Sequence, residues 1–375
     1  MLRNFLKSSL ALGLTRSGAT RLLGSGRSSR DTPLIVGYHR VVQDFDRSST
    51  TAIPSMLISA RMLEKQLDWL GAHYHLVSLE DMGKRLEEGR STAGIAAVTF
   101  DDGYRDVYEN AFSILKRKGI PATIFVVTGT IGTAQSMIHD RLYALLGRAL
   151  SGVAAPAGML AGLHGDCGLR MPEPRVLARA SRTTFTALRL FLDALPQAAI
   201  LAVIAKLESR FGTFGTDGGL ALTWEMIDEM RSAGVTIGSH SKTHAQLTHE
   251  SASVKRDEIS GSRQELEARL KTRVDHFAYP DGRFDSCTLI ATAAAGYRFA
   301  YTVCGHRDPK FPLLTLSRRV LWERACVDAR GAFSRAILEC LVGGVFDALS
   351  PCRRPHGQGI DGRPYLRAAW SGTAS

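Results

Sequence analysis

The chain has 375 residues, of which 45% are hydrophobic and 22% charged, the balance of a globular protein with one large domain or two small ones. Its formal net charge of +11 would suit a nucleic-acid-binding protein, but the charge is concentrated at the two ends. Residues 1–30 contain six basic side chains and no acidic one, and the segment after residue 350 has a surplus of three. The remaining middle has almost no net charge, which argues against a basic groove and predicts no nucleic-acid partner.

The first segment, residues 1–30, combines these charges with a short apolar run at residues 8–14 that Arg16 follows closely. The run is too short to span a membrane and resembles a signal peptide poorly. We interpret the segment as a basic arm that is either solvated or rests on a membrane surface as an amphipathic helix. The six cysteines include no C-x-x-C pair, which favours reduced thiols. We therefore expect a cytoplasmic protein, with membrane association through the arm as the alternative.

From Pro33 onward, short apolar runs alternate with helical patterns. The runs that predict strands cover residues 34–39, 76–79, 95–100, 122–127, 235–238, 276–279 and 299–302. The clearest helical patterns lie at residues 63–70, 111–115, 224–233, 254–270 and 289–295. This alternation predicts crossover units and an α/β fold with a parallel sheet. Six or seven such units favour a barrel over an open sheet.

One long segment, residues 136–220, breaks the alternation. It is rich in Ala and Leu, and one helical face carries Phe185, Leu188, Leu192 and Leu195. We interpret it as a helical insertion on the barrel. The predicted organisation is a basic arm at 1–30, one domain at 31–345 that contains the insertion, and a tail at 350–375. The tail is rich in Gly, Pro, Arg and Ser, which predicts disorder.

Four polar clusters each follow an apolar strand directly. They are Tyr38-His39, Asp101-Asp102, His240 with His244, and Tyr279-Pro280-Asp281-Gly282. The carboxyl ends of all strands in a parallel barrel open on one face. We therefore expect these side chains, distant in sequence, to converge there.

Two of the clusters suit a metal centre. His240 and His244 can reach one metal ion from a single turn of chain, although such a pair could also be surface or capping residues. Two adjacent acids on a regular strand would point to opposite faces, which suits a glycosidase poorly. At a strand end followed by Gly103, one acid can bind a metal while its neighbour reaches a water, or Asp102 could cap the next helix. A His2Asp set leaves coordination positions open, as catalytic metal sites do.

These segments resemble a known family. TFDDGY at 99–104 and HSKTH at 240–244 resemble the first and second motifs of the polysaccharide deacetylases, which have the NodB-homology fold. GIPAT at 119–123 and FAYP at 277–280 also look typical of that family. The resemblance extends from about residue 34 to about residue 319, apart from the insertion. It implies a distorted parallel (β/α)7-type barrel and a metal-dependent hydrolase that removes N-acetyl groups from a sugar, polysaccharide or glycoconjugate.

The resemblance also implies residue roles. Asp101 would be the general base that activates a water. The metal ligands would be Asp102, His240 and His244. The ion would be a divalent metal, with zinc expected. The substrate-binding segment would be Tyr279, Pro280 and Asp281. A backbone N–H near Asp281 could help to stabilise the oxyanion.

The sequence departs from the family pattern at two points. Many members carry an Arg two residues before the Pro of the third motif, where it orients the base, and this chain has Ala278 there. Either Arg318 or Arg319 substitutes, or Asp101 is held in another way. The chain also lacks a late Leu-x-His motif that would supply the general acid, since neither His306 nor His356 follows a convincing strand.

We assign the acid role to His39 instead. The early Tyr-His pair resembles that of the poly-N-acetylglucosamine deacetylase branch, where such a His is the acid. A protonated His beside the metal would donate its proton to the leaving amine. The alternative is a core His at a strand end. Two other functions stay open: a glycan-binding descendant of the fold with weak or no activity, and a metal amidohydrolase acting on an amide that is not part of a sugar.

Overall fold

The structure is a computed structural model, and it describes residues 2–17, 33–213, 220–349 and 356. The described residues form these strands: Leu34–Tyr38 (β1), Arg40–Val42 (β2), Leu57–Ser59 (β3), His75–Leu76 (β4), Ile95–Phe100 (β5), Ala122–Val126 (β6), Thr236–Ser239 (β7), His276–Ala278 (β8), Phe299–Thr302 (β9), Leu316–Ser317 (β10) and Arg319–Val320 (β11).

The helices in the same part of the chain are Leu2–Arg16 (α1), Phe45–Ser48 (α2), Ala60–His73 (α3), Leu79–Glu87 (α4), Phe112–Lys118 (α5), Ile138–Leu150 (α6), Pro156–Asp166 (α7), Pro174–Ala180 (α8), Thr184–Leu192 (α9), Gln197–Phe211 (α10), Trp224–Ser232 (α11), Ala252–Arg256 (α12), Ser262–Leu270 (α13), Ser286–Ala294 (α14) and Arg335–Val342 (α15). Two π-helical turns, Val107–Ala111 and Asp257–Gly261, lead into α5 and α13.

Nine strands form one sheet in which every pairing is parallel, in the order β10-β9-β8-β7-β6-β5-β1-β11, with β4 also paired to β5. Strands β10 and β11 are separated only by Arg318, yet they pair with opposite edges of this order. The chain between them therefore closes the sheet into a nearly complete barrel. The predicted α/β fold with a parallel, barrel-like sheet is confirmed.

Side chains along the strands alternate between two apolar layers, as strand geometry requires. Ile35 of β1 and Ala97 of β5 belong to one cluster, which we identify as the barrel interior. Their neighbours Val36 and Val98 belong to a second cluster that includes helical residues such as Leu67. Four residues beyond Ile35 and Ala97, just past the end of each strand, this alternation brings His39 and Asp101 to the interior row at the carboxyl end of the barrel.

Helices α6–α10 lie between β6 and α11, within the predicted insertion, and bury an apolar core of their own. Its most buried members include Leu142, Leu146, Leu188, Phe191 and Val203. This core is distinct from the two layers of the barrel, because its side chains come from the insertion together with Ile53. The insertion is therefore a helical unit packed on the barrel. Residues 214–219, in its predicted return segment, lie outside the described residues.

Several short elements escaped the sequence analysis. Strands β2 and β3 form a separate parallel pair, and β10, β11 and α15 follow the last predicted strand. Segments of two or three residues are too short to show a period.

Helix α1 covers half of the predicted arm and packs against α15. Within the described residues, no helix is both long and apolar enough to cross a membrane. The predicted tail lies outside those residues, except for His356.

Candidate active site and metal centre

The first motif follows β5, where the chain leaves the strand conformation. The backbone N–H of Asp101 still donates to the carbonyl of Tyr38, at 2.8 Å. The next two residues, Asp102 and Gly103, have φ angles of 70° and 69°, in the left-handed region. This turn ends the alternation of side chains, so two adjacent carboxylates can both serve one site. Non-glycine residues adopt this conformation at a cost, and such strain concentrates at functional sites.

Asp102, His240 and His244 form the candidate metal centre. The Oδ1 atom of Asp102 lies 3.5 Å from Nε2 of His240 and 3.4 Å from Nε2 of His244. Ligand atoms about 2.1 Å from a tetrahedral zinc ion stand about 3.4 Å apart, so this spacing suits such an ion. Oδ1 of Asp102 is also buried without a hydrogen-bond partner, a costly arrangement that a bound cation would relieve. Among the described residues these three side chains are the only group with the spacing of a metal site.

The ligand histidines are oriented by backbone and side-chain partners. Nδ1 of His240 donates to the carbonyl of Ala278 at 2.8 Å, because a carbonyl can only accept. This leaves the Nε2 lone pair of His240 free to bind a metal, the usual arrangement of a ligand imidazole. His244 has a φ of 60°, and its backbone N–H donates to Oγ of Ser241 at 3.0 Å. Burial lowers the pKa of both histidines to about 3, which keeps them neutral and able to coordinate.

The loop between the two histidines is held by one buried carboxylate. Oε2 of Glu258 accepts from the backbone N–H groups of Lys242 and Thr243, at 3.0 and 2.9 Å. Its other oxygen accepts from the hydroxyl of Thr243. Glu258 belongs to the π-turn before α13, and such turns often occur at functional sites. Sequence reasoning missed Glu258 because it lies within an ordinary helical pattern.

Asp101 is paired with a buried arginine. Nη1 of Arg318 donates to Oδ1 of Asp101 at 2.6 Å and Nη2 donates to Oδ2 at 2.7 Å, a bidentate pair. The guanidinium also contacts the hydroxyl of Thr99 and the ring face of Phe125. Burial raises the pKa of Asp101, but the charge and hydrogen bonds of Arg318, together with the nearby His240 and His39, hold that pKa well below its usual range. Asp101 is therefore ionised and held in a fixed orientation, as a general base requires.

The pair shows which arginine takes the place of the one missing at position 278. Arg318 contacts Asp101, whereas the neighbouring Arg319 pairs with Asp347. Arg318 reaches the base because it lies in the segment that closes the barrel, between β10 and β11.

His39 lies beside the base. Its Nε2 atom is 3.9 Å from Oδ2 of Asp101, and its side chain is 20% exposed, more than any other group of the centre. Burial lowers the pKa of His39, while the Asp101 carboxylate acts in the opposite direction. Nδ1 of His39 is buried without a hydrogen-bond partner. The predicted acid role stays a prediction that this position allows.

The first two residues of the predicted substrate-binding segment, Tyr279 and Pro280, have buried side chains. Tyr279 is fully buried, and its hydroxyl donates to the carbonyl of Leu314 at 3.0 Å. Pro280 is buried as well. Since the side chains of Tyr279 and Pro280 are buried, any contact of these two residues with substrate would come from their backbone.

Asp281 has a φ of 54° and an unexpected set of partners. Arg189 of α9 donates to both of its oxygens, at 3.1 and 2.8 Å, and Arg283 pairs with it at 2.6 Å. Both arginines also contact Asp193. The insertion is thus tied to the third motif by a network of four charged side chains. The predicted substrate contact at Asp281 is not tested by these partners.

A fourth imidazole near the metal centre, that of His139, was not predicted. His139, at the start of α6, has its Nε2 atom 3.9 Å from Oδ2 of Asp102. The same nitrogen is 2.8 Å from the hydroxyl of Tyr104, which donates to Asp140 at 2.7 Å. The rings of His139 and His244 meet edge to face, with centroids 5.0 Å apart. Tyr104 of the first motif contacts His139 and was the one possible signal in the sequence. His139 itself was not predicted, because it does not follow a strand.

Comparisons with known proteins agree with this geometry. The family model described as "Polysaccharide deacetylase" matches residues 88–158 and 186–300, and the gap falls inside the helical insertion. A poly-beta-1,6-N-acetyl-D-glucosamine N-deacetylase of Staphylococcus epidermidis is 31% identical over 112 residues, 28% of this chain and 39% of that protein. Its namesake in Staphylococcus aureus is 31% identical over 110 residues, 27% of this chain and 38% of that protein. This chain therefore matches less than half of either relative.

A solved structure shares the fold. A deacetylase of Streptococcus pyogenes, in complex with acetate, superposes with a TM-score of 0.50 at 19% identity, covering 78% of this chain and 93% of that one. The two parts of the family match contain both the Asp101-Asp102 turn and the segment from His240 to His244. The chain belongs to the polysaccharide deacetylase family.

Proposed function

We propose that this protein is a divalent-metal-dependent hydrolase that removes the acetyl group from an N-acetylated sugar within a glycan or glycoconjugate. The observation that carries the proposal is the centre itself. One face of the barrel holds a metal-ligand set, Asp102 with two histidines, beside an ionised carboxylate, Asp101, oriented by Arg318. Two imidazoles and one carboxylate suit several divalent ions, of which we propose zinc.

The chain's own residues can perform the hydrolysis of an acetamide. A bound divalent ion would polarise the carbonyl and make a water more acidic. Asp101, kept ionised by Arg318, accepts a proton from the water that attacks the carbonyl carbon. His39, on the exposed side of Asp101, donates a proton to the amide nitrogen as the carbon–nitrogen bond breaks. The products are acetate and a free amine. The turn at Asp281 is the expected source of a backbone donor for the developing oxyanion.

The substrate class is proposed from the relatives. Those from Staphylococcus are named for the deacetylation of poly-beta-1,6-N-acetyl-D-glucosamine. We propose an N-acetylglucosamine-containing glycan, such as an exopolysaccharide, as the substrate of this chain. A glycan-binding protein without activity is less well supported, because its one basis was the Arg missing at position 278, and Arg318 now pairs with Asp101.

The test is metal-dependent release of acetate. Purified protein is stripped with a chelator, reloaded with Zn²⁺, and incubated with N-acetylglucosamine oligomers. We expect acetate release only after reloading. Asp101→Asn should abolish release and retain zinc, whereas Asp102→Asn should lose the zinc as well. Acetate release that survives chelation, or that is unchanged in Asp101→Asn, would contradict the proposal. Binding of the oligomers without any turnover would favour the glycan-binding alternative.

A further inference from the structure

The helical insertion places His139 at the metal centre. His139 is the second residue of α6, and only 5% of it is exposed to solvent. Its Nε2 atom lies 3.9 Å from Oδ2 of Asp102, and its ring packs edge to face on that of His244. None of the roles assigned above uses this imidazole.

The two oxygens of Asp102 have different surroundings. Oδ1 faces the two ligand histidines, His240 and His244. Oδ2 faces His139 instead. When a carboxylate binds a metal through one oxygen, a polar group beside the other oxygen sets the rotation of the carboxylate and so the geometry of the centre. His139 occupies that place.

His139 is itself held in a defined state by two neighbours. The hydroxyl of Tyr104 donates its hydrogen to the carboxylate of Asp140, so its oxygen is left to accept from Nε2–H of His139. The proton of the imidazole is therefore on Nε2, the nitrogen that faces Asp102. This N–H group, which donates to Tyr104, lies 3.9 Å from Oδ2 of Asp102, a distance that allows electrostatic attraction but not a hydrogen bond. Tyr104 directly follows Gly103, so this network joins the first motif to the insertion.

We propose that His139 is a positioning residue of the metal centre, which holds Asp102 in the orientation that binds the ion, with Tyr104 and Asp140 holding His139 in turn. The inference rests on the proposed function, since it assigns a role at the same metal centre. It makes the insertion part of the active centre.

The test measures metal binding directly. Affinities for Zn²⁺ and Co²⁺ are determined by competition with a chromophoric chelator, and the visible absorption of the Co²⁺ form is recorded. We expect His139→Ala to weaken binding by about 10- to 100-fold, the usual effect of losing such a partner, and to change the Co²⁺ spectrum. His139→Gln keeps an N–H donor and should recover part of the affinity. Tyr104→Phe should weaken binding less than His139→Ala, and it replaces that variant if the latter does not fold.

His164→Gln is the matched control, because His164 is also a buried histidine of the insertion, stacked on Phe191. It should bind both ions as the wild type does. Wild-type affinity and spectrum in His139→Ala, or in Tyr104→Phe where that variant replaces it, would overturn the inference, as would an equal loss in His164→Gln. Those results would leave the proposed function standing. A wild-type protein that binds neither ion would overturn both.

Discussion

Asp101 and Asp102 are neighbours that are both almost fully buried, yet their surroundings separate their chemistry. Burial raises the pKa of Asp101, but Arg318, with the nearby His240 and His39, holds that pKa well below the usual range. Asp102 has no such partner, and burial, followed by the charges of Asp101 and Asp140, raises its pKa well above the usual range. Asp101 is therefore stable as a free carboxylate, whereas Asp102 is stable as an anion only beside a cation. Divergent environments of this kind are how paired acids acquire different roles.

The bidentate pair leads to a prediction for Arg318→Lys. Lysine keeps the charge but offers a single point donor, so Asp101 would lose its fixed orientation. We expect the kcat for acetate release to fall by about 10- to 100-fold, with zinc affinity unchanged. Arg319→Lys is the control, since Arg319 pairs with Asp347 and not with the base. Equal losses in the two variants, or a loss of zinc in Arg318→Lys, would contradict the assigned role.

The sequence was enough to predict the metal ligands but not the arginine that pairs with Asp101. Asp102, His240 and His244 were predicted because each follows a strand in a recognisable motif, and the structure brings them together. The choice between Arg318 and Arg319 stayed open because the flanking strands have two residues each and show no period.

Among the elements, the insertion makes polar contacts with all three motif segments. Besides the contact of His139 with Tyr104, Arg189 of α9 pairs with Asp281, and Gln197 of α10 donates to the hydroxyl of Thr243 at 2.6 Å. The sequence predicted the insertion because the alternation of strands and helices stops there and a helical pattern takes its place. It could not predict these contacts, since Arg189 and Asp281 are 92 positions apart and no local pattern links them.

The contact between Arg189 and Asp281 predicts that Arg189 contributes to the hydrolysis of long substrates. Arg189→Ala removes one of the two arginines that hold the carboxylate of Asp281, so the turn of the third motif should lose its fixed position. We expect kcat/KM for N-acetylglucosamine oligomers to fall about tenfold, in line with the loss of a partly buried charge-assisted pair. Hydrolysis of a small fluorogenic acetate ester should also slow, because the same turn is the expected source of the oxyanion donor, but by a smaller factor, because the ester makes no contacts with the rest of a glycan.

The control for this prediction is Arg210→Ala. Arg210 also lies on the insertion and pairs with Asp166, but both side chains are largely exposed, and such pairs contribute little. We expect kinetics like those of the wild type on both substrates. If Arg189→Ala lowered the rates for the oligomer and the ester equally, the turn would act in the chemical step alone, and the predicted role in glycan binding would be wrong.

For the whole molecule, closure of the barrel and orientation of the base depend on one short segment. Residues 316–320 pair with β9 on one side and β1 on the other, and the single residue between the two pairings is Arg318. The sequence predicted the barrel from its repeated strand–helix units, but not how it closes. Closure therefore brings the partner of Asp101 from more than two hundred positions away.

The charge distribution of the whole chain leads to the last prediction, which concerns α1. Most of the net charge lies at the two ends, and six basic residues lie within residues 1–30. Helix α1 rests on the body through Ala11, while Leu10 and Leu12 are nearly half exposed. A basic segment with exposed leucines suits an anionic membrane surface, where each basic residue contributes about 1 kcal/mol.

We therefore expect the 375-residue chain to sediment with vesicles that contain phosphatidylserine and not with vesicles of phosphatidylcholine alone. Binding should weaken as salt is raised, because the electrostatic part is screened. The double variant Leu10→Ser/Leu12→Ser should bind less, whereas Leu201→Ser, which changes an exposed leucine on α10, should bind as the wild type does. Equal sedimentation with both kinds of vesicle, or an equal loss in the Leu201 variant, would show that α1 is not a membrane-binding element. Helix α1 would then only pack against α15, with Leu10 and Leu12 exposed to water.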